Sequence, residues 1–253
     1  MIASTAPNRP LSWLVARPIA HRGLHDKARG VIENTASAFA RAMERNYAIE
    51  CDLQVTADGE AVVFHDDTLD RLTEAKGPVI ARKLDELKAI AIKGTGDRIQ
   101  TLAELVRQVN GTVPLVIELK SHWDGNPVLV KRSLDVLRLF KGKFALMSFD
   151  PAVVELIRRL SPATPRGLVA DRYDDPWYDH LPRAVRMELK TYAHMPRTRP
   201  DFLSFHHSGL PFAPVAEFRS AGHPVITWTL RSPEEARRAL RHSDQVTFEG
   251  YRP

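Results

Sequence analysis

The chain of 253 residues is 43% apolar and 26% charged, the balance of an ordinary globular protein long enough to bury a sizeable core. One cysteine, Cys51, excludes an intrachain disulfide, and no apolar run approaches the ~20 residues of a membrane helix. The excess of 36 Lys and Arg over 31 Asp and Glu is mild, and no run of five basic residues marks a nucleic-acid stripe.

Residues 1–17 contain Pro and Ser and are read as an irregular lead-in to a single domain over residues 18–253. Their apolar patch, Leu11 to Ala16, lacks the basic start and long apolar core of a signal peptide, so a cytoplasmic protein is expected. Short β-rich runs then recur: Pro18–His21, Ala48–Gln54, Ala61–His65, Pro114–Lys120, Phe144–Phe149, Arg166–Ala170, Asp201–Phe205, Pro224–Thr229 and Gln245–Phe248. Several are continuous apolar runs, as strands covered on both faces require.

Helical stretches fill most gaps. Phe39, Ala42 and Met43 share a face of Thr35–Arg45, and Leu102, Leu105, Val106 and Val109 share a face of the next. Leu129 to Phe140 and Val153 to Leu160 follow. Asp150-Pro151 and Ser232-Pro233-Glu234-Glu235 read as helix caps with Pro in the first turn. This alternation predicts an α/β barrel or a doubly wound sheet. Nine strands exceed the eight of a barrel, and the link VTADGE after Gln54 is too short for a crossover helix. Either Ala61–His65 is a hairpin arm or one crossover lacks its helix. A hairpin centred on Ala57-Asp58 would set Glu50 opposite His65.

Glu50 and Asp52 alternate on one face of a strand whose other face carries Ile49, Cys51 and Leu53. Glu118 stands in another apolar strand, LVIELK. Buried carboxylates need a positive partner, and a hard divalent cation such as Mg²⁺ or Ca²⁺ prefers oxygen ligands. The other reading of Glu50 and Asp52 is a solvated edge strand. His21 and His65 each end an apolar strand, where barrels place reactive groups. A pair of imidazoles can serve both ends of a displacement, whereas a lone strand-end histidine is more often structural. Arg22 and Lys120 sit beside these groups and suit phosphate oxygens.

Residues 19–79 resemble the signature region of the glycerophosphodiester phosphodiesterase family. The matching pieces are His21-Arg22-Gly23, Glu33-Asn34-Thr35, Glu50-x-Asp52, Asp58-Gly59, His65-Asp66 and Thr68-Leu69. Glu118-Leu119-Lys120, Ser148-Phe149 and Trp228-Thr229 resemble later motifs in the expected order. The resemblance implies a (β/α)8 TIM-type barrel of the PLC-like phosphodiesterase kind, with a short insertion after His65. It implies metal-dependent hydrolysis of glycerophosphodiesters to an alcohol and sn-glycerol 3-phosphate. Glu50, Asp52 and Glu118 would be metal ligands for Mg²⁺ or Ca²⁺, and His21 and His65 the acid and base, in an order left open. Arg22, Lys120, Glu33 and Trp228 would bind substrate. Glu33 begins a helix, where the dipole also favours a carboxylate, and core packing is the other reading of Trp228.

Two departures stand out. Ile32 replaces the family's usual Pro, and the C-terminal QVTFEGYRP offers Glu249 where a Thr-Asp strand end is usual. The short segment from Asp66 to Thr101 predicts a relatively open pocket. The competing functions are a lysophospholipase D-type phosphodiesterase, a non-catalytic anion-binding barrel and, on weaker grounds, a nuclease.

Overall fold

A computed structural model describes residues 11–253. In chain order the elements are α1 (Ser12–Val15), β1 (Ile19–Ala20), α2 (Ala36–Glu44), β2 (Ala48–Val55), β3 (Ala61–Val63), α3 (Leu84–Ala89) and α4 (Leu102–Val109). Then come β4 (Leu115–Leu119), α5 (Val128–Leu137), β5 (Phe144–Ser148), α6 (Pro151–Leu160), β6 (Arg166–Ala170), α7 (Arg183–Thr191) and α8 (Met195–Thr198). The last are β7 (Phe202–His206), α9 (Ala213–Ser220), β8 (Val225–Leu230), α10 (Pro233–Ala239) and β9 (Gln245–Phe248). All nine expected strands form. The strand order is β1-β9-β8-β7-β6-β5-β4-β2-β3, with β1 also pairing β2. The fold is the (β/α)8 barrel, eight parallel strands with helices between them and β3 outside the count.

The chain divides into two compact units, residues 19–120 with 126–145, and residues 146–253 with 121–125 and the described N-terminal stretch. In the first unit β2 runs parallel to both β1 and β4. The ninth strand is a hairpin arm: β3 pairs antiparallel with β2, Leu53 against Val63 and Val55 against Ala61. The turn is five residues long because Thr56 N–H donates to Glu60 O at 2.9 Å and Gly59 N–H to Thr56 O at 3.0 Å. Gly59 has φ +84°, a conformation glycine adopts freely. The hairpin is therefore centred on Asp58. Phe64 N–H donates to Asp52 O at 3.0 Å, so the register runs one residue off the expected pairing of Glu50 with His65.

Caps fix the helix starts. Thr35 Oγ1 accepts from Ala38 N–H at 3.3 Å, and Thr101 and Glu104 form a reciprocal capping box at 3.1 and 2.8 Å. The insertion after His65 has a core of its own. Leu69, Val79, Leu87, Ile92 and Ile99 pack with Val62, Phe64 and Ile32. Ile32, the departure from the family's Pro, is thus an apolar anchor for the insertion.

In the second unit β5 to β9 run parallel in sequence order. Asp150 caps α6 through Ala152 N–H at 2.8 Å and Ser232 caps α10 through Glu235 N–H at 3.1 Å, with Pro in each first turn as the sequence predicts. The lead-in is not wholly irregular. Ser12–Val15 is helical and Leu11 and Leu14 are buried, because the apolar patch is covered rather than solvated; residues 1–10 lie outside the described residues.

His194 is fully buried in this unit, its ring against Tyr192 with centroids 5.8 Å apart. Neither ring nitrogen has a hydrogen-bond partner among the described residues. Burial, aided by Arg197, pushes its pKa down from 6.5 to about 4. The unfolded chain therefore takes up a proton that the fold refuses, and stability falls as pH drops from about 6.5 toward 4. Between pH 7 and pH 4.5 this one group is expected to remove about 2 kcal/mol. Urea unfolding of wild type and His194→Leu at both pH values checks it: the variant should lose correspondingly less stability. Equal losses in the two proteins would discount the histidine.

Candidate active site

The three carboxylates meet because of strand register. Asp52 and Glu118 are Cα partners on β2 and β4, and Glu50 lies two residues before Asp52 on the same face. Ala20 pairs with Ile49, so β1 delivers His21 and Arg22 beside Glu50. Oxygen atoms of Glu50, Asp52 and Glu118 all lie within 4.8 Å of one another. Their exposures are 2%, 1% and 7%, which removes the solvated-edge reading. Ile49, Cys51 and Leu53 fill the other face of β2, also buried.

Two cations serve the acids. Lys120 Nζ lies 2.8 Å from Asp52 Oδ1 and 2.6 Å from Glu118 Oε1. Arg22 turns in the left-handed region, φ 54°, so that its N–H donates to Glu50 Oε2 at 2.9 Å. Gly23 follows with φ +78°, and a Cβ there would come within 2.9 Å of Ala38; the motif thus needs glycine at that position. Arg22 Nε lies 3.5 Å from Asp52 Oδ2 and is a buried donor without a hydrogen-bond partner among the described residues.

Glu33, Asn34 and Thr35 divide their work. Glu33 Oε1 accepts from Arg22 Nη1 at 2.6 Å. Asn34, also left-handed, donates Nδ2 to Asp52 Oδ2 at 2.8 Å and accepts from Asp52 N–H at 3.3 Å. Thr35 caps α2. Glu33 therefore precedes the helix by a turn rather than beginning it, and Arg22 and Arg71 hold it ionised instead of the dipole.

Charge balance follows from these contacts. Burial and the like charges of Asp52 and Glu118 push the Glu50 carboxyl well above the usual carboxylate range. Burial opposes ionisation of Asp52 too, but the charges of Lys120, His65 and Arg22 outweigh it and hold its pKa far down. Burial likewise acts against the Lys120 ammonium, and Asp52 and Glu118 reverse it, so its pKa is raised. Three buried acids thus face two resident cations, and the uncompensated charge shows in Glu50. An all-oxygen, electron-rich donor set of this kind fits a hard divalent cation.

His65 follows β3 with Nδ1 2.7 Å from Asp66 Oδ1, and its charge is felt at Asp52. His21 leaves β1 next to Arg22, half-buried, a ring nitrogen within 4.8 Å of one on His25. In the second unit Trp228 is half-buried and gives Nε1–H to Ser204 O at 3.0 Å. Its indole stands edge-on to His206 and Phe149. Glu249 pairs with Arg231 at 2.7 Å. Two residues escaped sequence reasoning. Asp66 stood in a motif without a role, and Arg71 grips both Asp66 and Glu33 from the insertion.

The family model for glycerophosphoryl diester phosphodiesterases matches residues 21–243. A glycerophosphodiester phosphodiesterase of Caldanaerobacter subterraneus subsp. tengcongensis is 30% identical over 234 residues, 88% of this chain and 89% of that one. One from Bacillus subtilis is 25% identical, over 92% and 83% of the two chains. Among solved structures, an Oleispira antarctica phosphodiesterase in complex with the product sn-glycerol-3-phosphate has a TM-score of 0.77 at 23% identity, covering 94% of this chain and 95% of that one. A glycerophosphodiester phosphodiesterase from Thermotoga maritima has a TM-score of 0.70 at 25% identity, covering 91% and 92%. The Oleispira likeness carries the fold; the family match and the Caldanaerobacter relative carry descent. By both, the chain belongs to the glycerophosphoryl diester phosphodiesterase family and is a phosphodiesterase enzyme.

Proposed function

We propose that this phosphodiesterase hydrolyses glycerophosphodiesters to an alcohol and sn-glycerol 3-phosphate with a divalent cation, Mg²⁺ or Ca²⁺, and with His21 and His65 as its acid–base pair. The observation that carries it is the cluster of Glu50, Asp52 and Glu118, buried together beside Arg22 and Lys120. Those three acids would hold the cation, which would supply Lewis-acid polarisation of the phosphate. The buried, unpartnered Nε of Arg22 and the Lys120 ammonium are donors for the remaining phosphoryl oxygens, and they offset charge that grows there in the transition state. Glu33 keeps Arg22 in place.

One histidine takes the proton of the attacking oxygen. The other gives a proton to the alcohol oxygen as its bond to phosphorus breaks. With water as attacker the two products form in one step. With the neighbouring glycerol hydroxyl as attacker, a cyclic diester forms first and water then opens it. No helix among the described residues is long and apolar enough to cross a membrane, and a cytoplasmic enzyme acting on a small diester, within glycerol and lipid metabolism, belongs to the same reading.

EDTA treatment is expected to abolish hydrolysis of glycerophosphocholine, and Mg²⁺ or Ca²⁺ to restore it. A calorimetric scan gives a second readout: a cation at a hundred times its Kd should add about 2.7 kcal/mol of stability. Full activity in EDTA would end the metal assignment. Turnover of lysophosphatidylcholine alone, in the same assay, would replace the soluble diester by a lysophospholipid.

A further inference from the structure

The insertion after His65 does more than cover apolar surface. Leu69 and Thr73 are fully buried, Thr73 Oγ1 donates to Leu69 O at 2.9 Å, and Thr73 N–H donates to the same oxygen at 3.0 Å. Arg71 projects from this anchored turn. Its Nε and Nη2 donate to Asp66 Oδ2 and Oδ1 at 2.6 and 2.8 Å. Its Nη1 and Nη2 donate to Glu33 Oε2 and Oε1 at 2.9 and 2.7 Å. One planar guanidinium thus grips two carboxylates at once, a geometry that lysine cannot copy.

Each carboxylate goes on to touch a group of the proposed chemistry. Asp66 Oδ1 meets His65 Nδ1 at 2.7 Å, and Glu33 Oε1 meets Arg22 Nη1 at 2.6 Å. A clip that only fastened the insertion would not need partners of both the histidine and the arginine. Arg71 is 46% exposed on its side chain, so solvent screens the charge term of its pairs, while the two-carboxylate geometry stays fixed. Its value lies in orientation.

We propose that Arg71 is a positioning residue that sets two active groups from one guanidinium, holding Asp66 against His65 and Glu33 against Arg22. Asp66 accepts a hydrogen bond from the Nδ1–H of His65, which leaves Nε2 as the nitrogen that exchanges protons with substrate. Both carboxylates stay ionised for the task. Burial acts against each, yet hydrogen bonds from Arg71 and the nearby cations bring both pKa values down to about 2. The inference rests on His65 acting as acid or base, as proposed above.

The test is Arg71→Met in two backgrounds, wild type and His65→Ala, assayed on glycerophosphocholine with saturating cation. In the wild-type background kcat should fall about 10- to 100-fold, the usual cost of losing an outer orienting partner. In the His65→Ala background the same change should cost kcat several-fold less, since the Asp66 arm has no ring left to orient and only the Glu33–Arg22 arm remains. KM should rise in both, because the Glu33–Arg22 arm does not pass through His65. Arg71→Lys keeps the charge and should recover little of kcat, which guards against a variant that folds poorly. Equal fold-losses in both backgrounds would make Arg71 merely structural, and wild-type kcat in Arg71→Met would overturn the idea. If instead His65→Ala alone keeps the wild-type rate, the acid–base reading itself is what fails.

Discussion

Asp52→Asn is expected to lower kcat/KM on glycerophosphocholine by about 10³-fold, near 4 kcal/mol of transition-state stabilisation. Asp52 is where the site's contacts cross. Its Oδ1 meets Lys120 at 2.8 Å, its Oδ2 meets Asn34 at 2.8 Å, and Arg22 Nε stands 3.5 Å away. A neutral amide of the same shape removes one of the three carboxylate charges proposed to hold the cation. It also turns one acceptor into a donor that faces Lys120 or Asn34. Arg22 and Lys120 keep Glu33 and Glu118 as partners, so the fold should survive while the cluster loses its charge. Steady-state kinetics together with titration of Mg²⁺ binding checks both halves. Retention of more than a tenth of the wild-type kcat/KM would remove Asp52 from the proposed set.

Much of this site was legible because it rests on strand periodicity. Glu50 and Asp52 share a face by alternation, and the apolar Ile49, Cys51 and Leu53 fix which face that is. His21, Arg22, Glu118 and Lys120 were found at the ends of apolar runs, where parallel register brings them level. The nine strands followed from the same signal, and the helix caps from Asp150-Pro151 and Ser232-Pro233. The β2–β3 register was missed by one residue. Turn length depends on how Thr56 closes on Glu60, and the sequence marks only Asp58-Gly59.

Other elements left no periodic trace. Helix α7 buries only Leu189, and α8 spans four residues, so neither carries an apolar stripe long enough to read. The core of the insertion is assembled from Leu69, Val79, Leu87, Ile92 and Ile99, single apolar residues scattered through polar sequence. Arg71 was the least legible of all. Its role arises from carboxylates 5 and 38 residues away, and one arginine among many carries no mark of that.

His65→Ala and His21→Ala are each expected to lower kcat by about 10²- to 10⁴-fold on glycerophosphocholine, the span of a lost general acid or base. The size of the loss does not say which ring does what, but the leaving group does. Choline leaves as an alkoxide unless a proton reaches it, whereas a nitrophenol departs without one. On a glycerophospho-nitrophenol substrate, the variant lacking the acid should regain most of the wild-type rate. The variant lacking the base should stay slow, because the attacking oxygen still needs its proton removed. The contact with Asp66 places an ionised carboxylate at His65 Nδ1 and fixes the ring, which suits an acid or a base alike. Comparing the two variants on the two substrates therefore assigns acid and base in one experiment. Should both variants stay within tenfold of wild type on the choline diester, proton transfer runs through neither ring.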